Sequence, residues 1–439
     1  MESFILGLDF GTSGVRAVIT DTRDRDPLFK PYQIALPTLS HRPTKARHEQ
    51  DPLKWREALI ALFQKIPVEI KQKIAHIIID ATSSTVCLID HDRPEVPMTS
   101  AIMYDDARAL KQSEIIAEEL TDLIGTNPQT SSVLGATSTL AKVQWLYENI
   151  TKPTEVQLCH QADYLNGLLT GEYQVTDENN ALKLGYDPIN RCWPEEIKRL
   201  CPLPLPEVRP AGAPLAPVSK NAAQLFQIPQ SCQVYCGTTD SIAAFLATGA
   251  GQIGEACSSL GSTLAIKLLS DAPIYAPESG LYSHRLGNQW LVGGASNSGG
   301  AVLTHFFDLP RLKALIQQLK QQHPASLPLP TGLNYYPLTK PGERFPVADP
   351  NLLPKLTPIP KNDSDFLLGL IEGLTQIEAL AYEKLQQLGA PEVKAIYSVG
   401  GGVKNAIWQQ ARQQILSAPI KKPLHTEAAF GVTKLVKSI

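Results

Sequence analysis

Short apolar runs alternate along the chain with stretches of helical spacing. Ile5 to Asp9 reads as a strand, Gly11-Thr12-Ser13-Gly14 as a turn and Val15 to Thr20 as a second strand, so the three predict a hairpin. Gly254 to Leu260, Gly261-Ser262-Thr263 and Leu264 to Leu269 repeat that order in the second half. A hairpin with a small-hydroxyl turn, once in each half, points to a domain-scale duplication, although such turns are common by themselves. Ile74 to Ile79 is a buried-strand run ending at Asp80, and Val393 to Val399 a strand entering Gly400-Gly401-Gly402. Pro52 to Phe63 and Leu140 to Tyr147 have the spacing of helices. Asp365 to Leu388 is the longest helical pattern, with Ser364 as the expected N-cap and Gly389 as the C′ residue. Strands alternating with helices favour the α/β class.

Proline interrupts this pattern in two places. The stretch from Pro202 to Pro217 cannot be a helix interior or a central strand and reads as an extended connector; a second cluster runs from Pro341 to Pro360. A domain boundary is expected near residue 246, dividing the chain into 1–246 and 247–439, with the last helix packing back on the first domain. A length of 439 residues suits two or three domains. With 43% apolar and 19% charged residues the chain is globular, and no apolar run is long enough to span a membrane. A net charge of −3 argues against a general nucleic-acid or anionic-membrane binder but leaves room for a local phosphate pocket. Seven cysteines, an odd number, are no disulfide framework at this size. With no signal-like start, the expectation is a reduced, cytoplasmic protein, monomeric or homodimeric.

Four segments could carry chemistry. Asp9 stands at a strand end beside Gly11, Thr12, Ser13 and Gly14, where backbone N–H groups and hydroxyls can approach phosphate oxygens and a carboxylate can hold Mg²⁺. It is neither a Walker A loop nor a dinucleotide fingerprint, and read alone it fits a tight hairpin equally well. Asp240, in Gly237-Thr238-Thr239-Asp240-Ser241, is a general base or simply a helix cap. Gly400, Gly401 and Gly402 clear side chains from a backbone that something flat approaches, and Asn405 and Trp408 one turn apart could flank an adenine. The segments Ala81 to Thr85, with Ser83 and Ser84, and Tyr104 to Arg108 offer hydroxyl, carboxylate and guanidinium groups suited to a polyol; each alone reads equally as a turn or a surface ion pair. Nine scattered histidines form no metal-binding pattern.

Taken in order, these segments resemble the FGGY carbohydrate kinase family over nearly the whole chain. The resemblance adds Glu49-Gln50-Asp51-Pro52 with Trp55, Gln161 to Leu165 with Leu169 to Glu172, and Asn297 to Ala301, Gly299 among them. It implies two duplicated actin-like, ribonuclease H-like ATPase domains with an interdomain cleft, in which the two hairpins clamp one nucleotide. It implies that Asp240 is the catalytic base, that Asp9 organises Mg²⁺ and the sugar, and that Thr12 and Ser13 belong to the first phosphate loop with Gly11. Gly261, Ser262 and Thr263 would form the second loop, with Gly299 beside it. Gly400, Gly401, Asn405 and Trp408 would lie at the adenosine. Ser13, Gly14, Ser83, Ser84, Tyr104 and Arg108 would face the sugar with Asp9 and Asp240, and Asp9 and Asp240 would hold the metal. Ser241 and Tyr104 depart from the glycerol kinases, which carry Gln and Trp there. The short chain, the Thr-Ser-Ser-Thr strand end and the Gly-Thr-Thr-Asp-Ser wording look most like a cyanobacterial and chloroplast branch regarded as D-ribulose kinases. The expected reaction is ATP-dependent phosphorylation of a ketopentose, D-ribulose before D-xylulose; a sugar-independent ATPase or a sugar sensor of the same fold is the alternative.

Overall fold

A computed structural model of the chain describes residues 2–23, 27–36, 39–150 and 155–436. It divides into two units: Met1–Ala247 together with His425–Ile439, and Thr248–Leu424. Among the described residues no helix is long and apolar enough to cross a membrane.

The first unit is built on a six-stranded mixed sheet in the order Pro214–Pro217, Gln233–Thr239, Ile74–Ala81, Phe4–Phe10, Gly14–Asp21 and Tyr32–Ala35. Phe4–Phe10 pairs parallel with Ile74–Ala81 on one side and antiparallel with Gly14–Asp21 on the other. Side chains alternate across it, as the period of two requires. Phe4, Leu6, Leu8 and Phe10 join the apolar layer containing Trp55, Leu59 and Leu62 of the helix Pro52–Lys65, while Ile5 packs on the opposite layer with Ala243 and Val432. That opposite layer is made by the helices Asp240–Ala247 and Ala428–Thr433, the second contributed by the far end of the chain. They approach so closely that a Cβ on Gly431 would overlap the carbonyl oxygen of Ala243.

The Pro-rich stretch from Pro202 is more ordered than a connector. It contains the short strand Glu207–Arg209 and the strand Pro214–Pro217. The latter lies on the edge of the sheet, where a missing proline N–H costs no ladder bond. A second, four-stranded sheet of Glu49–Gln50, Ala101–Ile102, Val86–Asp90 and Val156–His160 lies beneath the helices Leu110–Glu119 and Thr139–Asn149, with Leu88, Ile116, Leu140, Val143 and Leu158 in one cluster.

The second unit repeats the central sheet. Its order is Tyr282–Leu286, Gln289–Ala295, Leu264–Ser270, Glu255–Leu260, Ala395–Val399 and Ile420–Lys421. Leaving aside one outer strand, both units run third, second, first, fourth, fifth in chain order, with the same parallel and antiparallel pairings. The duplication suggested by the hairpins thus extends to the sheet topology. The long helix is Asp363–Gln387. Its N-cap is Asn362, whose side chain accepts from Asp365 N at 2.8 Å; Ser364 lies inside the first turn, nearly buried. Gly389 follows with φ +97°, as expected of a C′ glycine. Across this helix Glu378 meets Arg412 of the helix Ala406–Ile415 at 2.7 and 2.8 Å, and Arg412 also donates to Ser398 at 2.7 Å.

Candidate active site

The strand register brings acids together at one end of the first unit's sheet. Asp9 lies opposite Asp80 on its parallel neighbour and opposite Arg16 on its antiparallel neighbour; Thr238 lies beside Asp80 on the next strand. Asp240 opens the helix after that strand, its Oδ1 accepting from Ser241 N at 2.6 Å. Asp9 is nearly buried, and burial first, the charge of Asp240 second, push its pKa up to about 6. Arg16 opposes this from 3.5 Å, a half-exposed guanidinium shared with Glu427 at 3.5 Å. Asp80 is fully buried, and neither of its oxygens meets a protein donor. Burial and then the Asp9 charge push its pKa well above the usual carboxylate range. Asp80 was legible only as the end of an apolar strand; its partnership with Asp9 needed the sheet register.

The turn after Asp9 closes with Gly11 N donating to Gly14 O at 3.0 Å. Gln50 supports it. Gln50 Nε2 donates to Thr12 O at 3.0 Å, and Gln50 Oε1 accepts from Trp55 Nε1 at 2.8 Å. The Glu-Gln-Asp-Pro segment with its Trp thus braces the turn through Gln50, while Asp51 caps the helix Pro52–Lys65. Ser13 stays exposed, and its carbonyl accepts from Leu36 N at 2.8 Å.

The polyol-side candidates separate. Tyr104 is exposed, its phenol raised by burial of the ring and then by the charges of Asp105 and Asp240. Ser83 is half-buried on the turn between Ile74–Ala81 and Val86–Asp90. Ser84 is fully buried at φ +58°, and its hydroxyl donates to Thr137 O at 2.7 Å. Arg108 is also engaged by its own chain. Its guanidinium is almost enclosed, forked onto Asp106 at 2.6 to 3.0 Å and bonded to Glu49 at 2.5 Å, with Trp145 4.9 Å from it. These bonds brace the loop.

In the second unit the turn Gly261-Ser262-Thr263 closes with Gly261 N donating to Thr263 O at 3.2 Å. The segment around Gly299 docks on it: Gly300 N donates to Gly261 O at 2.8 Å and Ala301 N to Ser262 O at 3.1 Å. Gly261, Ser262, Gly300 and Ala301 border a cavity of about 620 Å³ with Gly401, Asn405 and the apolar side chains Leu312 and Ile316. Gly400 needs its φ of +91°, and a Cβ there would stand 2.9 Å from the Leu260 backbone. Gly400, Thr263 and Gly299 lie behind the cavity lining. Asn405 is the helix cap, its Oδ1 accepting from Ile407 N at 3.1 Å and Trp408 N at 3.2 Å. Trp408, at 1% exposure, packs under Gly402 and forms part of the cavity wall beside Asn405.

Both units match one family. The N-terminal domain of the FGGY family of carbohydrate kinases matches residues 4–247, and its C-terminal domain residues 256–435. The chain belongs to this family. It is therefore a carbohydrate kinase, with ATP and a sugar as its small-molecule partners. Among curated relatives of this FGGY kinase, a xylulose kinase of Lactococcus lactis subsp. lactis is 24% identical over 95% of the chain and 83% of the relative. A gluconokinase of Bacillus licheniformis is 24% identical over 98% of the chain and 86% of the relative. Among solved structures, a xyloylose kinase from Brucella ovis superposes with a TM-score of 0.85 at 23% identity, covering 98% of this chain and 89% of that one.

Proposed function

We propose that this FGGY kinase phosphorylates the terminal, 5-hydroxyl of a ketopentose, D-ribulose first and D-xylulose second. One observation carries the reading: Asp9 faces Asp80 across parallel strands, and Asp240 opens the helix that follows the next strand, so carboxylates gather at one end of the first unit's sheet. In this reading unit one holds the sugar and unit two the nucleotide.

Asp240 accepts the proton of the attacking hydroxyl as it bonds to the γ-phosphorus of ATP, and ADP leaves. Thr12 and Ser13 in unit one, and Ser262 and Thr263 in unit two, offer backbone N–H groups and hydroxyls to phosphate oxygens, on turns that Gly11 and Gly261 close. The cavity beside Gly401 and Asn405 takes the adenosine. Tyr104, Ser83, Ser13 and Gly14 orient the sugar. Among the described residues no group of three His, Cys, Asp or Glu side chains is arranged to hold a metal alone. A magnesium ion carried on ATP needs only one or two protein carboxylates, with water and phosphate completing its shell, and Asp9 with Asp240 fits that requirement. When bound there, Mg²⁺ would neutralise charge on the β- and γ-phosphate oxygens.

The preference for D-ribulose is supported by the Thr82-Ser83-Ser84-Thr85 strand end and Ser241 after Asp240; D-xylulose is supported by relatives bearing the name xylulose kinase. The test is a panel of D-ribulose, D-xylulose, L-ribulose, gluconate and glycerol with Mg-ATP, the product identified by ³¹P nuclear magnetic resonance. A 5-phosphate of D-ribulose formed fastest is expected. Phosphorylation of gluconate alone would overturn the ketopentose reading.

A further inference from the structure

Lys142 lies in the helix Thr139–Asn149, wholly enclosed. Its Nζ donates to three backbone carbonyls: Ser84 O at 2.8 Å, Met103 O at 2.8 Å and Tyr104 O at 3.3 Å. These belong to two separate loops. Ser84 is on the turn that carries Ser83, and Met103 and Tyr104 follow the short strand Ala101–Ile102. The same helix holds the first loop by its N-terminal end as well, since the Ser84 hydroxyl meets Thr137 O at 2.7 Å and Thr139 Oγ1 at 3.1 Å. The second loop is fixed from its other side. Asp106 N donates to Met103 O, His48 N donates to Asp106 Oδ2 at 2.6 Å, and the Arg108 fork closes on the Asp106 carboxylate. The strands that flank the two loops pair at Val86 and Ile102, and beyond that pairing Lys142 ties the loop tips together through its three carbonyl contacts.

Burying an amino group costs several kcal/mol unless its donors are satisfied. A methionine or leucine would fill similar space at lower cost. What a lysine adds is three directional bonds that fix the spacing of the two loops.

We propose that Lys142 is a positioning residue for the sugar: by tying Ser84 to Met103 and Tyr104 it sets the distance between Ser83 and the Tyr104 phenol, and so tunes which sugar fits. This rests on the reading that those two loops face the sugar. Lys142 itself touches no substrate and takes no proton.

The test is steady-state kinetics of Lys142→Met, with both substrates varied in turn and D-ribulose compared with D-xylulose. The expected result is a sugar KM raised 10-fold or more and a weaker preference between the two sugars, with the ATP KM unchanged within twofold. Lys142→Gln, which keeps two N–H donors on a shorter stem, should fall between wild type and Lys142→Met. Unchanged sugar KM in a folded variant overturns the proposal, and so does a parallel rise in both KM values. If neither variant folds, Lys142 is a core residue only and the proposal fails. A wild-type protein that phosphorylates no sugar removes the functional reading itself, a result separable from normal wild-type turnover with unaffected variants.

Discussion

Asp9 occupies a place where its charge opposes folding. Its pKa is raised from 3.8 to about 6 in the fold. A carboxyl raised on folding contributes stability that is fully present below its unfolded pKa and is lost as pH rises through the folded value. At pH 8 the ionised Asp9 therefore costs on the order of 3 kcal/mol. Asp9→Asn should raise the thermal midpoint at pH 8, measured with chelator present, leave it little changed near pH 3.5, and abolish sugar phosphorylation. A variant less stable than wild type at pH 8 would contradict this account of Asp9. Asp240→Ala should lower kcat by roughly 10²- to 10⁴-fold, the usual worth of a general base, with little change in ATP KM. Wild-type kcat in that variant would reduce Asp240 to a helix cap. At this scale the sequence exposed residues that announce themselves locally: an acid beside glycines and hydroxyls, an Asp at a strand–helix junction. It named Gln50 and Asp80 without their partners and passed over Lys142, because those partners lie across strands or in other loops. The Thr137 carbonyl that meets Ser84, and the Asp106 and Glu49 carboxylates that hold Arg108, are likewise not visible in residue type.

At the scale of elements, the long helix Asp363–Gln387 and the helix Ala406–Ile415 are joined by the enclosed Arg412–Glu378 pair. Ser258 donates to Glu378 at 2.5 Å and meets Tyr382 at 2.7 Å, extending the network to the first strand of the unit. Removing one partner leaves the other charge buried and unpaired. Arg412→Met should therefore destabilise the protein by about 3–5 kcal/mol, read from urea unfolding. A loss below about 1 kcal/mol would mean that solvent reaches Glu378. Element existence was legible wherever apolar spacing was strong, as in Phe4–Phe10, Pro52–Lys65 and Asp363–Gln387. Ends were less so. Asn362 displaced Ser364 as the cap because its amide both accepts from and donates to Asp365, at 2.8 and 2.6 Å. The strand Pro214–Pro217 was hidden by its prolines, since only its place at the sheet edge makes them tolerable.

For the whole molecule, two units share one strand order, and the first is completed by the chain's far end. The helix Ala428–Thr433 covers the strand Phe4–Phe10 and the helix Asp240–Ala247, on the face of the sheet that carries Asp9. Truncation after Leu424 should accordingly destabilise the first unit, seen as accelerated proteolysis within residues 2–247 ahead of residues 248–424. Equal resistance of both units would contradict that packing. The hairpin repeat in the sequence pointed to the duplication, and a last helix packing back on the first domain was part of the same expectation. The central claim is that phosphoryl transfer to a ketopentose depends on Asp240. Its most direct test is ADP release from Mg-ATP by wild type and Asp240→Asn, each with and without D-ribulose. The account predicts strong stimulation by the sugar in wild type and almost none in the variant. Equal release in all four reactions would contradict it.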